Sequence, residues 1–361
     1  MSSPTDILIV GGSGVVGKRI AAHLALRFPG RVVIAGRDEQ RALATCRAIE
    51  HGTTARRIDV DDRASIGPAL TGVGTVVSCV TQREQHLLRM SIEGGRAYTD
   101  IAARLAFWQG SDELDAEARR TGARVVLGAG LSPGISNMMA KKLAAMLPRL
   151  ERVETAILLS LGDEYGSDSL NHVLEALMQP FAVFENGLRR EAVPFSESRS
   201  VPFPEPLGER TTYLFPWSDV VYYPKTLGAR TALGRIALDP PWVGKLASLL
   251  MRAGGRDRLK RPGFFHGNRR AIDRIKRLYR RDDQFALVVT TEGGGRRTSM
   301  NLIGRHQADV TAASAAEFAR ALASEEISAA GLWLPEQIVS HEQFFAALEA
   351  QGYRPTTSIG T

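Results

Sequence analysis

The chain has 361 residues, 44% of them hydrophobic, and a formal net charge of +7 at pH 7. This length and composition predict a globular protein of more than one domain and exclude a disordered or fibrous chain. Two cysteines exclude a disulfide scaffold, and a short polar N-terminus with no apolar run of about 18 residues predicts a cytoplasmic protein without signal peptide or membrane span.

The first predicted elements are a buried strand at residues 7–10 and a helix that follows a glycine-rich turn. Gly12, Gly14 and Gly17 have the G-x-G-x-x-G spacing. In this motif the first glycine permits a tight turn, the second lets a pyrophosphate approach the backbone, and the third lets the helix pack closely on the strand. The helix also directs free N–H groups at the phosphate. The turn therefore predicts a dinucleotide site made by Gly12, Ser13, Gly14, Val15, Val16 and Gly17.

Arg37 follows the second predicted strand, at residues 32–35, and it bears on the choice of cofactor. An acidic residue at this place binds the ribose hydroxyls of NAD, whereas an arginine accommodates the 2′-phosphate of NADP. We therefore expect NADP. The alternative is that Arg37 is a solvated loop residue and that Asp38 binds the ribose of NAD.

Residues 38–130 continue the alternation of helices and strands, which predicts a parallel sheet of the Rossmann type. Helices are predicted at 38–50, 64–70, 84–93 and 112–120, and strands at 55–58, 75–80 and 123–127, with an extended piece ending at 98. Asp59 ends the third strand, where it can meet the adenine amino group, while Asp62 can serve as a helix cap. Cys79, Val80 and Thr81 end the fourth strand, at the carboxyl edge where a nicotinamide would lie.

Few side chains in this region can carry chemistry. Cys79 is either a nucleophile or, because its neighbours offer no base, a small residue that gives room to the nicotinamide. Tyr98 and Asp100 are the predicted catalytic residues, which would orient or protonate a substrate; the alternatives are a half-buried strand residue and a helix cap. The seven histidines are scattered and form no H-x-x-x-H pattern, so we expect no metal.

A loop at residues 128–134 leads into a helix predicted at 135–146, and its Pro133 and Gly134 are placed to border the nicotinamide. Beyond residue 148 the pattern changes to short strands and turns. The predicted elements are strands at 153–160, 181–184, 189–193, 284–291 and 298–303, a helix at 170–178, a proline-rich loop at 194–206, and closing helices at 314–322 and 341–349. This arrangement predicts a second domain of α+β class with a mainly antiparallel sheet. The candidates for facing a cleft between the domains are Lys225, His172, Tyr222 and Tyr223.

The positive charge is concentrated in one segment. Between Arg252 and Arg281 there are twelve lysines or arginines and two aspartates, so the remainder of the chain is slightly acidic. Ile272, Ile275 and Leu278 recur at helical spacing, which predicts that the arginines form the solvent face of an amphipathic helix. The alternatives are a basic rim that attracts an anionic substrate or NADP and, with the least support, a nucleic-acid surface.

Three stretches together resemble the saccharopine dehydrogenase-like oxidoreductases. They are the glycine turn with Arg37, residues 76–80 with residues 94–100, and Gly130-Leu-Ser-Pro-Gly-Ile-Ser-Asn137. The closing Gly331-Leu-Trp-Leu-Pro-Glu336 is also similar to this family, whereas Ser132 stands where the family has Asp. The resemblance implies an NAD(P)-binding first domain, a mixed α/β second domain inserted before the closing helices, and reductases that form secondary amines from an amino acid and an aldehyde through an imine.

From the residues and the resemblance together, we expect three parts. They are a Rossmann domain at residues 1–130, an α+β domain for substrate binding and dimerisation at 131–305, and closing helices at 306–361 that pack back on the first domain. The predicted function is that of an NADP-dependent oxidoreductase that transfers hydride to or from a C=N or C=O carbon of a small amino- or carboxylate-bearing substrate. We expect a homodimer with no nucleic-acid or membrane partner. The alternatives are an NADP-binding sensor without turnover and an enoyl or carbonyl reductase on the same scaffold.

Overall fold

The computed structural model describes residues 5–101, 107–108, 112–164, 176–177, 179–253, 279 and 283–360. Contacts within the chain divide it into two compact units. The first unit is Met1–Asn137 with Ala308–Gln351, and the second is Met138–Gln307 with Gly352–Thr361. The domain boundaries expected from the sequence stay a prediction.

Within the described residues, the first unit holds a sheet of seven parallel strands. The strands are β1 (Asp6–Val10), β2 (Val32–Gly36), β3 (Thr54–Arg57), β4 (Val73–Ser78), β5 (Ala97–Asp100), β6 (Arg124–Val126) and β15 (Gly331–Trp333). Their order, β15-β6-β5-β4-β1-β2-β3, contains the 3-2-1-4-5-6 order of a dinucleotide-binding sheet. The strand order reverses between β1 and β4, so the segments that follow these two strands border a crevice at the carboxyl edge of the sheet.

Helices connect these strands, as a parallel sheet requires. They are α1 (Gly17–Arg27), α2 (Glu39–Ile49), α3 (Arg63–Ala69), α4 (His86–Glu93), α5 (Asp115–Thr121, after a 3₁₀ turn at Asp112–Leu114), α6 (Ile135–Ala144), which begins in this unit, and the closing helices α9 (Gln307–Ala323), α10 (Pro335–Ile338) and α11 (His341–Glu349). The Asp38 carboxylate caps α2 by accepting the Arg41 N–H at 3.0 Å. Asp62 caps α3 in the same way through the Ala64 N–H at 3.1 Å, the role that the sequence offered for it.

The second unit is built on a mixed sheet in which, among the described residues, only β7 and β12 pair in parallel. Its strands are β7 (Arg152–Ser160), β8 (Phe181–Glu185), β9 (Leu188–Ala192), β10 (Ser198–Pro202), β11 (Glu209–Leu214), β12 (Thr231–Asp239), β13 (Gln284–Gly293), β14 (Arg296–Arg305) and β16 (Thr356–Gly360), with helices α7 (Ser218–Thr226) and α8 (Pro241–Arg252). The α/β fold class expected from the sequence, a parallel Rossmann-type sheet and a mainly antiparallel second sheet, is therefore confirmed. In the described part of the chain, no helix is long and apolar enough to cross a membrane.

One prediction for this unit is wrong. Residues 194–206 were expected to form a loop because they contain four prolines, yet β10 (Ser198–Pro202) lies within them and pairs with β11. Proline is tolerated there because β10 is at the edge of the sheet, where one side of the strand needs no ladder hydrogen bonds. The helix predicted at 170–178 and the amphipathic helix of the basic segment fall almost wholly outside the described residues.

A buried carboxylate holds several strands of the second sheet together. Glu154 on β7 is buried, and three guanidinium groups surround it. Arg152 lies 2.9 Å from its carboxylate, Arg199 of β10 lies 3.2 Å away, and Arg235 of β12 lies 3.3 Å away. Arg235 is buried as well, so this pair is shielded from solvent while Arg152 and Arg199 remain partly hydrated.

We expect Glu154→Gln to lower the free energy of unfolding by about 3 kcal/mol, because removing one partner leaves a buried guanidinium uncompensated. The measurement is urea unfolding at neutral pH. Glu151→Gln is the matched control, since its ion pair with Arg149 is exposed and such pairs contribute about 1 kcal/mol or less. Equal small losses for both variants would show that Glu154 does not organise the sheet.

Candidate functional site

Two glycines of the turn after β1 are required by packing inside the protein. A Cβ atom on Gly17 would lie 2.2 Å from the carbonyl oxygen of Gly11, and one on Gly12 would lie 2.9 Å from Ile34 Cγ2 on β2. Gly11 itself has a φ of +79° and a virtual Cβ 2.6 Å from Val80 Cγ1, a requirement that the sequence motif did not reveal. The first turn of α1 therefore lies directly against the end of β1.

Gly14 is less tightly constrained by the protein than Gly12 and Gly17. Outside its immediate neighbours, a virtual Cβ has one described atom within 4 Å, the Gly11 carbonyl oxygen at 3.1 Å, and the φ of Gly14 is not positive. That distance is tighter than an ordinary Cβ contact, so a side chain here would press on the Gly11 backbone. With no other described atom near that Cβ, the turn leaves room on this side for the close approach of a pyrophosphate.

The turn also presents backbone donors to this space. The N–H groups of Val15, Val16 and Gly17 make no hydrogen bond to another described residue, whereas the Gly14 N–H donates to the Gly11 carbonyl at 2.8 Å. The first turn of α1 contains no acidic side chain. Unpaired N–H groups and the positive end of the helix dipole together make this end of α1 suited to an anion.

Arginines flank the glycine turn on the side of β2. Arg37 is exposed and makes no hydrogen bond or ion pair with another described residue. The Asp38 carboxylate already caps α2, so it is less available for the alternative role of binding the ribose of NAD. Arg41, which no sequence motif marks, donates from its guanidinium to the Ser13 carbonyl oxygen at 3.0 Å. Its position one helical turn after Asp38, at the start of α2, is the sequence feature that places it near the glycine turn.

Cys79 lies where β4 ends beside β1, and its N–H donates to the Val10 carbonyl at 2.8 Å. Burial, with a smaller contribution from the nearby Asp100 carboxylate, raises the pKa of its thiol to about 12. A protonated thiol is a poor nucleophile at neutral pH, so this site favours the interpretation of Cys79 as a small residue. Val80 and Thr81 follow it, half-buried, at the same edge.

The predicted catalytic residues Tyr98 and Asp100 are both buried on β5 and contact each other. The Tyr98 hydroxyl accepts from Gln82 Nε2 at 2.9 Å and donates to Asp100 Oδ2 at 3.4 Å. Burial first, and then the Asp100 charge, raise the pKa of Tyr98 well above its usual value. Both hydrogen bonds of Tyr98 are thus made to other side chains of the protein. The expectation that either residue protonates a substrate stays a prediction.

Asp100 also fixes the loop at residues 128–134. Its Oδ1 accepts the Gly128 N–H at 2.9 Å, and its carbonyl oxygen accepts the Ala129 N–H at 2.7 Å. At the far end of the loop, Gly134 has a φ of +129° and no room for a Cβ, which would lie 2.0 Å from the Gly130 carbonyl oxygen. Pro133 precedes it, two residues before α6 begins.

Two buried hydrogen bonds of Asn137 connect this loop with Glu336 in the C-terminal part of the first unit. Asn137 Oδ1 accepts the Gly134 N–H at 2.8 Å, and its Nδ2 donates to Glu336 Oε2 at 2.7 Å. Two of the stretches that resemble one family, ending at Asn137 and Glu336, are thus in direct contact. Sequence reasoning had assigned neither residue a role.

Among the remaining candidates, Asp59, Tyr222 and Tyr223 are hydrogen-bonded to other protein groups or buried. Asp59 Oδ1 accepts the Asp61 N–H at 3.1 Å in the turn after β3. In α7, the Tyr223 hydroxyl donates to Asp219 Oδ2 at 2.9 Å, and Tyr222 is buried. His172 lies outside the described residues. Among those that are described, no group of three or more His, Cys, Asp or Glu side chains is arranged to hold a metal ion.

Comparison with known proteins supports the fold more than the activity. No protein-family profile and no curated protein matches the chain. Among solved structures, saccharopine dehydrogenase (L-Glu forming) from Saccharomyces cerevisiae matches with a TM-score of 0.72 at 15% identity, over 99% of this chain and 100% of that one. GenD2 from gentamicin A biosynthesis, in complex with NAD, matches over 100% of this chain and 97% of its own at 15% identity, with a TM-score of 0.45. The chain has the saccharopine dehydrogenase-like fold, as its sequence motifs led us to expect.

We expect Cys79 to resist alkylation in the folded protein. Its raised pKa keeps the thiol neutral at any pH well below 12. In a Cys46→Ser variant at pH 8, iodoacetamide should therefore react roughly a thousandfold more slowly than with the same protein unfolded in urea, where the thiol pKa is about 8.5. Mass spectrometry of the labelled protein gives both rates. Similar rates in the two states would restore Cys79 as a candidate nucleophile.

Proposed function

We propose that this protein is an NADP-dependent oxidoreductase that transfers a hydride to or from a C=N or C=O carbon of a small substrate. The observation that carries the proposal is the turn after β1. It combines a glycine, Gly14, whose virtual Cβ has one described atom within 4 Å outside its neighbours, with N–H groups of Val15, Val16 and Gly17 that have no partner among the described residues. These residues, with Gly12 and Ser13, would hold the pyrophosphate of a dinucleotide.

The choice of NADP rests on the side chains at the end of β2. Arg37 is exposed and makes no hydrogen bond or ion pair with another described residue, so its guanidinium is available to a 2′-phosphate. Arg41 adds a second guanidinium beside Ser13. Asp38, the residue that would favour NAD, is occupied as a helix cap. Asp59, at the end of β3, would lie on the adenine side.

The nicotinamide would lie over the ends of β4 and β5, bordered by Cys79, Val80 and Thr81 and by the loop that contains Pro133 and Gly134. When bound, the cofactor supplies or accepts the hydride. The buried Tyr98–Asp100 pair holds this border in place, because Asp100 binds the loop backbone at Gly128 and Ala129. In the proposal this pair positions the reacting groups, and Cys79 gives them room.

The substrate class rests on the fold and on the sequence resemblance. One solved structure with the same fold is named as a saccharopine dehydrogenase (L-Glu forming), and the family that the sequence motifs resemble forms secondary amines from an amino acid and an aldehyde. We infer an amine and aldehyde pair, or the secondary amine that they form, as the substrate. Spectrophotometric screening of such pairs for NADPH oxidation tests this directly, and tight NADPH binding with no turnover of any pair would favour the sensor alternative.

We expect Gly14→Val to abolish NADPH binding, since its side chain would occupy the space in which the pyrophosphate approaches the turn. A Cβ there lies 3.1 Å from the Gly11 carbonyl oxygen, so the test includes a check that the variant is folded. The expected loss of affinity is about a hundredfold or more, or about 2.8 kcal/mol. Calorimetric titration measures it, with thermal unfolding as the check on folding. Gly67→Ala in α3 is the matched glycine control. Unchanged NADPH affinity in a folded Gly14→Val protein would refute the assignment of the turn.

We expect Arg37→Ala to weaken NADPH binding roughly 10- to 100-fold, because charge-assisted hydrogen bonds to the 2′-phosphate are worth about 1.5–3 kcal/mol. NADH lacks that phosphate, so its affinity should hardly change, and Arg37→Asp should improve it. Arg41→Ala should weaken both cofactors, because Arg41 also holds the Ser13 carbonyl. Arg47→Ala, exposed on the same helix, is the control. Indifference of both cofactors to Arg37→Ala would make Arg37 a solvated loop residue.

A further inference from the structure

Helix α8 (Pro241–Arg252) turns an apolar face outward. Four of its large side chains are exposed, Trp242 by 42%, Leu246 by 47%, Leu249 by 66% and Leu250 by 42%. Their spacing of four, seven and eight residues places them on one side of the helix, which we call the outer face of α8. Contiguous exposed apolar groups mark an interaction surface, because isolated ones are common but clusters are rare on monomeric proteins.

The opposite side of α8 packs against the rest of the second unit. Gly244, Ser248 and Met251 are buried there. The Ser248 hydroxyl donates to the Phe195 carbonyl at 2.9 Å, and a Cβ on Gly244 would lie 2.7 Å from the Tyr213 ring. The helix is therefore held by its inner side, and the outer face is not needed for that packing.

Basic groups accompany the outer face. Lys245 and Arg252 are exposed, and on a helix they fall along one edge of the stripe formed by Trp242 and Leu249. The chain from Arg252 to Arg281 then carries twelve lysines or arginines against two aspartates. The Trp242 indole N–H donates to the Tyr279 hydroxyl at 3.2 Å, so two amphipathic aromatic residues meet at the start of the face. Tryptophan and tyrosine are the residues enriched where lipid meets water.

We propose that the outer face of α8 docks on an anionic lipid surface. Its leucines and Trp242 would enter the boundary between headgroups and acyl chains, and Lys245 and Arg252 would lie at the lipid phosphates. The proposal differs from the expectation of no membrane partner, because the sequence predicts no helix at α8. The proposal is independent of the cofactor and of the reaction.

Size and charge favour lipid over a second copy of this chain. Twelve helical residues span about 18 Å, and one face of such a helix offers far less than the roughly 800 Å² per partner of a stable protein interface. A two-fold contact between outer faces would also bring Lys245 and Arg252 close to their own copies. An anionic bilayer buries the apolar stripe and neutralises the adjacent charge at the same time.

Vesicle cosedimentation of the full chain tests the proposal. We expect binding to vesicles of phosphatidylcholine mixed with phosphatidylglycerol, little binding to phosphatidylcholine alone, and release near 1 M salt, where the screening length falls to about 3 Å. The Trp242 emission should shift to shorter wavelength on binding, and Trp242→Phe should remove that shift. Neutral and anionic vesicles that bind the protein equally would contradict the role given to the basic edge.

Variants on α8 separate its two contributions. Leu246→Gln with Leu249→Gln should weaken vesicle affinity about tenfold or more. Lys245→Gln with Arg252→Gln should weaken it roughly fivefold for each charge removed. Leu188→Gln, which changes a leucine that is 74% exposed on β9, is the matched control and should bind like the parent.

Three results would overturn the proposal. One is absence of binding to anionic vesicles by the folded parent protein. Another is a vesicle affinity of the double leucine variant that equals that of the parent and of the Leu188→Gln control. The third is a parent protein that light scattering shows to be a dimer, that binds no vesicles, and that becomes a monomer in the double leucine variant. The outer face would then be an interface between copies of the chain. All substituted side chains are exposed, and circular dichroism of each variant verifies that it is folded.

Discussion

The close approach of α1 to the end of β1 constrains everything around it. At Gly17 the helix backbone lies so near the Gly11 carbonyl oxygen that a methyl group would stand 2.2 Å from it. The helix starts at this point, and the N–H groups of Val15, Val16 and Gly17 have no partner among the described residues. Beside them, the virtual Cβ of Gly14 has one described atom within 4 Å outside its neighbours. A packing requirement and the proposed anion site thus share one local geometry.

The two ends of the proposed cofactor would meet opposite kinds of surroundings. At the phosphate end, exposed arginines and backbone N–H groups favour negative charge, and the first turn of α1 has no acidic side chain. At the nicotinamide end, the polar groups are buried and hydrogen-bonded to one another, as Gln82, Tyr98 and Asp100 show. Asp100 accepts hydrogen bonds from the Gly128 and Ala129 N–H groups, so it connects β5 with the loop at residues 128–134.

Local patterns predicted the first unit well, because its strands, glycine turn and helix caps depend on residues close in sequence. The second unit was harder. The sequence predicts no strand at β12, which is defined by pairing with the distant β7. It predicts a loop at β10, because the prolines of this strand are acceptable only at a sheet edge. The contact between Asn137 and Glu336 joins residues 199 positions apart, which no local pattern reports. Position at the sheet edge was predictable for Tyr98, but its burial was not.

The central claim is that the start of α1 binds the pyrophosphate of a nicotinamide dinucleotide. Amide proton and nitrogen chemical shifts, followed while NADPH is titrated into the isotope-labelled protein, test it most directly. We expect the amides of Val15, Val16 and Gly17 to shift most strongly and to saturate together with the Arg37 signals. Saturation by NADPH with these amides unmoved, or no binding by a folded protein, would contradict it.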